Sequence, residues 1–73
     1  MIIIYTTPTC AYCPMVKKFY DLKGVAYKVE EAEGTEYTEL AKEYGTHVPL
    51  IYNTKKKLGM TGYNIPKLLE LAK

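Results

Sequence analysis

The chain reads as an α/β protein, a mixed four-stranded sheet with helices on both faces in the order β-α-β-α-β-β-α. Three observations give that order. An apolar opening run and a later alternating run flank a segment whose apolar residues recur at three and four positions, a strand, helix, strand unit. A second segment of helical spacing follows it. A proline-led apolar run, a polar turn and a leucine-rich helical segment then close the chain. With 73 residues there is room for one core and no second one, so residues 1–73 are expected to form a single domain.

Met1-Ile2-Ile3-Ile4-Tyr5 is almost continuously apolar, as expected of a strand covered on both faces. After Thr6 to Thr9, the segment from Cys10 to about Lys23 places Cys13, Val16, Phe19 and Tyr20 on one helical face, with Met15 and Leu22 alongside. Lys17, Lys18 and Asp21 are left for solvent, Pro14 falls in the first turn, and Gly24 ends the helix. Val25 to Glu30 alternates as a second strand, which a right-handed crossover sets parallel to the first. Thr35 is placed to cap a second helix carrying Tyr37, Leu40, Ala41 and Tyr44 at i, i+3, i+4 and i+7, closed by Gly45. In the run Val48 to Tyr52, pairing must begin beside or after Pro49. Asn53 to Lys56 turns the chain, and Lys57 to Met60 returns antiparallel with lysines guarding the edge. Asn64 caps the last helix, with Pro66 in its first turn and Leu68, Leu69, Leu71 and Ala72 on its buried side.

Composition excludes several function classes. Hydrophobic residues at 48% and charged residues at 25% describe a globular chain and not a disordered one. A net charge of +2, with one dense basic run at Lys55-Lys56-Lys57, is too small to announce a nucleic-acid binder. All ten basic residues are Lys, so no bidentate guanidinium contact is available. No apolar stretch approaches the roughly 20 residues of a membrane span. The apolar opening lacks a basic lead and a small-residue cleavage site, so no secretory signal is expected. Two cysteines are too few for a disulfide-stapled miniprotein.

The chemistry concentrates in Cys10-Ala11-Tyr12-Cys13, where the first strand gives way to the first helix. A helix N-terminus offers free N–H groups and a positive dipole end, which stabilise a thiolate at Cys10. The thiolate is the nucleophile of disulfide exchange, and Cys13 is spaced to attack a mixed disulfide on Cys10. Redox, metal-binding and purely structural readings compete for such a pair, with redox favoured by the β-α-β setting. The two cysteines and His47 cannot build a closed four-ligand zinc site. An iron–sulfur cluster would have to draw thiolates from another chain.

Tyr5-Thr6-Thr7-Pro8-Thr9-Cys10-Ala11-Tyr12-Cys13-Pro14 resembles the active-site segment of glutaredoxins, in the thioredoxin-like superfamily. Val48-Pro49 resembles the family's cis-proline segment, and Thr61-Gly62-Tyr63-Asn64 its glycine turn before the last helix. The resemblance covers essentially the whole chain. It implies a thioredoxin-like, three-layer fold and a dithiol–disulfide oxidoreductase with Cys10 and Cys13 catalytic. Tyr12, Val48, Pro49, Thr61, Gly62, Tyr63 and Asn64 are the residues it places around substrate. On the residues alone, Pro49 reads equally as the opening of an edge strand, because cis is the minority state of an X–Pro bond; the family turns that to cis. No bound cofactor is implied. The resemblance implies glutathione or thioredoxin reductase as reductant, and disulfide-bearing proteins such as ribonucleotide reductase as partners.

Three positions depart from the family pattern. Thr7 stands where many glutaredoxins carry a lysine for a glutathione carboxylate, and neutral Asn64 stands where an acidic residue meets the glutathione amino group. Thr61 replaces the first glycine of the turn. These lean toward the redoxins of ribonucleotide reductase, whereas Tyr12 is a glutaredoxin feature. The rival from another class is a non-enzymatic iron–sulfur carrier or protein-binding module on the same fold. His47 reads as a surface histidine or a group that touches substrate or tunes a thiol. Lys17 and Lys18 read as a solvated helix face, with attraction of an acidic partner or thiolate stabilisation, both screened by salt, as the functional alternatives. Most of the eight tyrosines are expected in the core, with Tyr5, Tyr12 and Tyr63 near the site. A cytoplasmic monomer without nucleic-acid or membrane partners is the resulting expectation.

Overall fold

The computed structural model describes residues 1–73. Strands β1 (Ile2–Thr6), β2 (Tyr27–Glu31), β3 (Leu50–Asn53) and β4 (Leu58–Thr61) alternate with helices α1 (Cys13–Lys23), α2 (Thr35–Tyr44) and α3 (Ile65–Ala72) in the expected order. The sheet order is β2-β1-β3-β4. β1 and β2 are parallel, with Thr6 opposite Glu31, while β1–β3 and β3–β4 are antiparallel. No helix is long and apolar enough to cross a membrane.

Strand alternation divides the core into two layers. On one face Ile2, Ile4, Ile51 and Met60 meet Val16 and Tyr20 of α1 and Leu68 and Leu71 of α3. The other face is covered by α2, whose Tyr37 packs on Tyr5 and whose Tyr44 packs on Tyr52. Gly59 permits that second contact, since a Cβ there would stand 2.9 Å from the Tyr44 ring. Burying a side chain such as Ile4 or Leu68 contributes about 1.5–3 kcal/mol. The exposed ion pairs Lys28–Glu30 and Lys42–Glu39 contribute about 0–1 kcal/mol each, so packing holds the layers.

Several boundaries differ from the sequence expectation, each for a local reason. α1 begins at Cys13 and not at Cys10. A helix starting at Cys10 would put Pro14 beyond the first turn, where its missing N–H and its ring break the ladder. β2 starts at Tyr27 because Val25 is engaged in the end of α1, where its N–H donates to the Tyr20 carbonyl at 2.9 Å. Gly34, not Thr35, is the N-cap of α2, and the Thr38 hydroxyl donates back to the Gly34 carbonyl at 2.8 Å. β3 pairs only after Pro49, as its lost N–H requires. Leu69, Met15 and Leu22 lie outside the core, Leu22 at 76% exposure, because a three-layer fold this small covers a narrow stripe of each helix. Only Tyr5 and Tyr20 of the eight tyrosines are buried, the rest using their hydroxyl ends at the surface.

Two polar side chains tie the elements together. Asn53, buried at the end of β3, donates to the Leu71 carbonyl of α3 at 2.7 Å and accepts from the N–H groups of Lys55 and Lys56. Tyr20, fully buried, donates its hydroxyl to the Leu68 carbonyl at 3.1 Å, joining α1 to α3. Burial pushes the Tyr20 phenol up to about 12. An unfolded tyrosine ionises near 10, so this contribution to stability is complete below pH ~10 and disappears as pH rises toward ~12. Tyr20→Phe should cost about 1 kcal/mol at neutral pH and flatten the alkaline loss of stability. Urea unfolding at neutral and alkaline pH checks this, and a Tyr20→Phe curve as alkali-sensitive as the parent would contradict it.

Candidate active site

β1 delivers the chain to the carboxyl end of the sheet, where open α/β sheets bind their ligands. The loop after it is a turn closed by the Cys10 N–H donating to the Thr7 carbonyl at 3.1 Å. The Thr6 hydroxyl donates to the same carbonyl, and the Thr7 and Thr9 hydroxyls lie 3.4 Å apart. Cys10 and Cys13 are joined as a disulfide with their Cα atoms 5.6 Å apart. The two are not equivalent. Cys13, the first helical residue, is 2% exposed, whereas Cys10 on the loop is half-exposed.

The helix start is electrically open toward the sulfurs. Tyr12 is the N-cap and supplies no side-chain cap, and the first turn holds no acidic residue. The N–H groups of Cys13 and Met15 make no bond within the chain and Pro14 has none to offer, so positive partial charge remains beside the pair. Charge developing on a sulfur there is stabilised.

Two contacts bring the later segments to this loop. The rings of Tyr12 and Tyr63 are parallel within 2°, with centroids 6.4 Å apart. The Gly62 N–H donates to the Pro49 carbonyl at 2.9 Å, which holds the turn before α3 against the start of β3. Gly62 has φ of +84°, a conformation that L side chains rarely adopt, and open space lies where its Cβ would project. The Val48–Pro49 bond is cis, and Pro49 is fully buried. Val48 is half-buried, yet its N–H and C=O bond to nothing in the chain, leaving a donor and an acceptor for an extended peptide.

The remaining candidate residues sit less directly. Thr61 ends β4, and its hydroxyl reaches the Tyr44 carbonyl at 3.5 Å, so its side chain serves the α2 side. Asn64 is exposed and caps α3, its side-chain oxygen accepting from the Lys67 N–H at 3.3 Å. His47 is exposed and makes no hydrogen bond. Tyr5 does not reach the cysteines; it turns to α2, where burial first and then Glu36 and Glu30 push its phenol up. Two residues that sequence reasoning missed share a hollow with them. Thr6 and Glu31 line a hollow of about 370 Å³ together with Thr7, Pro8, Cys10, Cys13, Pro14 and Lys17. Parallel pairing of β1 with β2 was the available signal, because it sets Glu31 beside Thr6 at the same sheet end. A larger hollow, about 450 Å³, lies between β4, α3 and the end of α2, away from both sulfurs.

The glutaredoxin family model matches residues 2–57, a span that includes the cysteine pair and Val48–Pro49 and stops short of Gly62. No curated protein and no solved structure matches the chain significantly.

The exposure difference has a direct consequence for the reduced chain. Iodoacetamide at neutral pH should label Cys10 at least about tenfold faster than Cys13. Peptide mapping after brief labelling reads the ratio, and equal labelling would show that the exposure difference does not govern the reactivity of the reduced pair.

Proposed function

The chain belongs to the glutaredoxin family, within the thioredoxin-like superfamily, and on that premise we propose that it is a dithiol–disulfide oxidoreductase whose Cys10 attacks and Cys13 resolves. The observation that carries this reading is the asymmetric Cys10–Cys13 disulfide at an uncapped helix start. In the reduced enzyme the Cys10 thiolate attacks one sulfur of a substrate disulfide and the other sulfur leaves as a thiol. Cys13 then attacks the Cys10 sulfur of the mixed disulfide, the second substrate thiol departs, and the protein is left as the Cys10–Cys13 disulfide. One substrate disulfide is reduced per dithiol oxidised.

Substrate lies along Val48, whose free N–H and C=O pair with extended backbone. The parallel rings of Tyr12 and Tyr63 and the open face of Gly62 form the rest of its bed. Glutathione, in reduced form, returns the disulfide to the dithiol. No resident cofactor enters the cycle, which suits a reducing cytoplasm.

A second reading keeps the chemistry and changes the partners: reduction by thioredoxin reductase and service to a protein such as ribonucleotide reductase. Two observations favour it. Thr7 brings no positive charge to the loop, and Asn64 brings no negative charge to the turn and already spends its oxygen on Lys67. Charge-assisted hydrogen bonds contribute about 1.5–3 kcal/mol each, so two missing ones weaken glutathione recognition by about a hundredfold or more.

Both partner readings meet in one assay. Turnover of a glutathionylated substrate coupled to glutathione and its reductase should be measurable for the parent chain. It should improve in apparent Michaelis constant by about a hundredfold or more when Thr7→Lys and Asn64→Asp are combined. Asp keeps the cap of α3, so folding is not at stake. No gain in the double variant, with efficient reduction of the parent by thioredoxin reductase, selects the second reading. Failure with both reductants contradicts the oxidoreductase.

A further inference from the structure

The resolving thiol has a chemical problem that the substrate-facing residues do not solve. Cys13 is 2% exposed, and burial disfavours its thiolate, the form in which it must attack. The hollow of about 370 Å³ touches both cysteines, and none of Tyr12, Val48, Pro49, Gly62 and Tyr63 lines it. Besides the cysteines, its ionisable side chains are two, of opposite charge: Lys17 and Glu31.

We propose that Lys17 and Glu31 handle the proton of the resolving thiol, the lysine stabilising the Cys13 thiolate and the glutamate accepting its proton through the hollow. This rests on Cys13 being the resolving residue. In that step the Cys13 S–H bond breaks, its proton passes to the Glu31 carboxylate, and the sulfur's electron pair forms the bond to the Cys10 sulfur. The bond from Cys10 to the substrate sulfur breaks in turn, the substrate thiolate leaves and takes a proton from water, and Glu31 returns the proton it accepted to the solvent.

Placement supports each role. Lys17 lies four residues after Cys13 on α1, which sets both on the same helix face. It is half-buried, while its neighbour Lys18 is exposed. Glu31 ends β2 opposite Thr6, on the far wall of the hollow. Neither belongs to the ion pairs of the chain, which are Lys28–Glu30 and Lys42–Glu39. The loop from Thr6 to Thr9 adds no ionisable group, and the other charges near Glu31 are Glu30 and Glu33. Hydrogen bonding and repulsion from Glu33 hold the Glu31 carboxyl above its ordinary range, which suits a proton acceptor.

The test needs no substrate for its first part, so its failure is separable from failure of the oxidoreductase reading. In a Cys10→Ser chain, Cys13 is the sole thiol, and the pH dependence of its alkylation rate gives its titration midpoint. Lys17→Gln should raise that midpoint by about one pH unit, Lys17→Arg should restore it, and Glu31→Gln should lower it. In the chain with both cysteines, Glu31→Gln should slow closure of a preformed Cys10 mixed disulfide by about tenfold at neutral pH. Unmoved midpoints, or an equally large shift at Cys10 in a Cys13→Ser chain, would overturn the lysine's role. A closure rate indifferent to Glu31→Gln would overturn the glutamate's.

Discussion

One phenol holds the two halves of the site in register. Tyr20 is fully buried on the inner face of α1, between the rings of Phe19 and Tyr27, and its hydroxyl donates to the Leu68 carbonyl of α3. α1 carries Cys13, and the segment leading into α3 carries Gly62 to Asn64. The contact therefore fixes the cysteine loop relative to the glycine turn. Such a ring is affordable only because its one polar atom finds a partner; left unpaired, it would cost about 1–3 kcal/mol. Asn53 repeats the device about one turn further along α3, where it donates to the Leu71 carbonyl. With α3 tied down at Leu68 and Leu71, the Gly62–Pro49 bond and the Tyr12–Tyr63 pair can hold the turn before it against β3 and the cysteine loop without a large interface.

Much of this was legible in the residues. The three-and-four spacing of Cys13, Val16 and Tyr20 marked the buried face of α1, and all three are in the core. Asn64 and Pro66 marked the start of α3. What periodicity could not supply was which exposed-looking residues a thin fold leaves uncovered, so Leu22, Met15 and Leu69 were counted as packed. Nor could it weigh Pro14 against the pull of the cysteine motif in placing the start of α1. Nearness in sequence points Tyr5 toward the site, but strand alternation sends it to the opposite face, against Tyr37. Glu31 escaped because it is 18 positions from Cys13 in the chain and becomes its neighbour only through the parallel register of β1 and β2.

The electrostatics of the site come from the backbone more than from charged side chains. No arginine occurs in the chain, the first turn of α1 is free of acidic residues, and Thr7 and Asn64 are neutral. The unpaired N–H groups at the helix start are fixed in place and close to the sulfurs, so bulk salt screens them less than it screens surface lysines. Charge enters at Lys17 and Glu31, which sit with the buried sulfur and not along the residues proposed to hold substrate. In the proposed cycle attack and resolution are governed by different groups: an open helix end for Cys10, and a lysine–glutamate pair for Cys13.

The account turns on the order in which the two sulfurs act, and mass spectrometry of the two single-cysteine chains tests that order most directly. After treatment with oxidised glutathione, the Cys13→Ser chain should hold a stable mixed disulfide on Cys10, because no second thiol remains to displace it. The Cys10→Ser chain should remain largely unmodified, since its one thiol is buried. A stable adduct on Cys13, with none on Cys10, would reverse the roles and contradict the account.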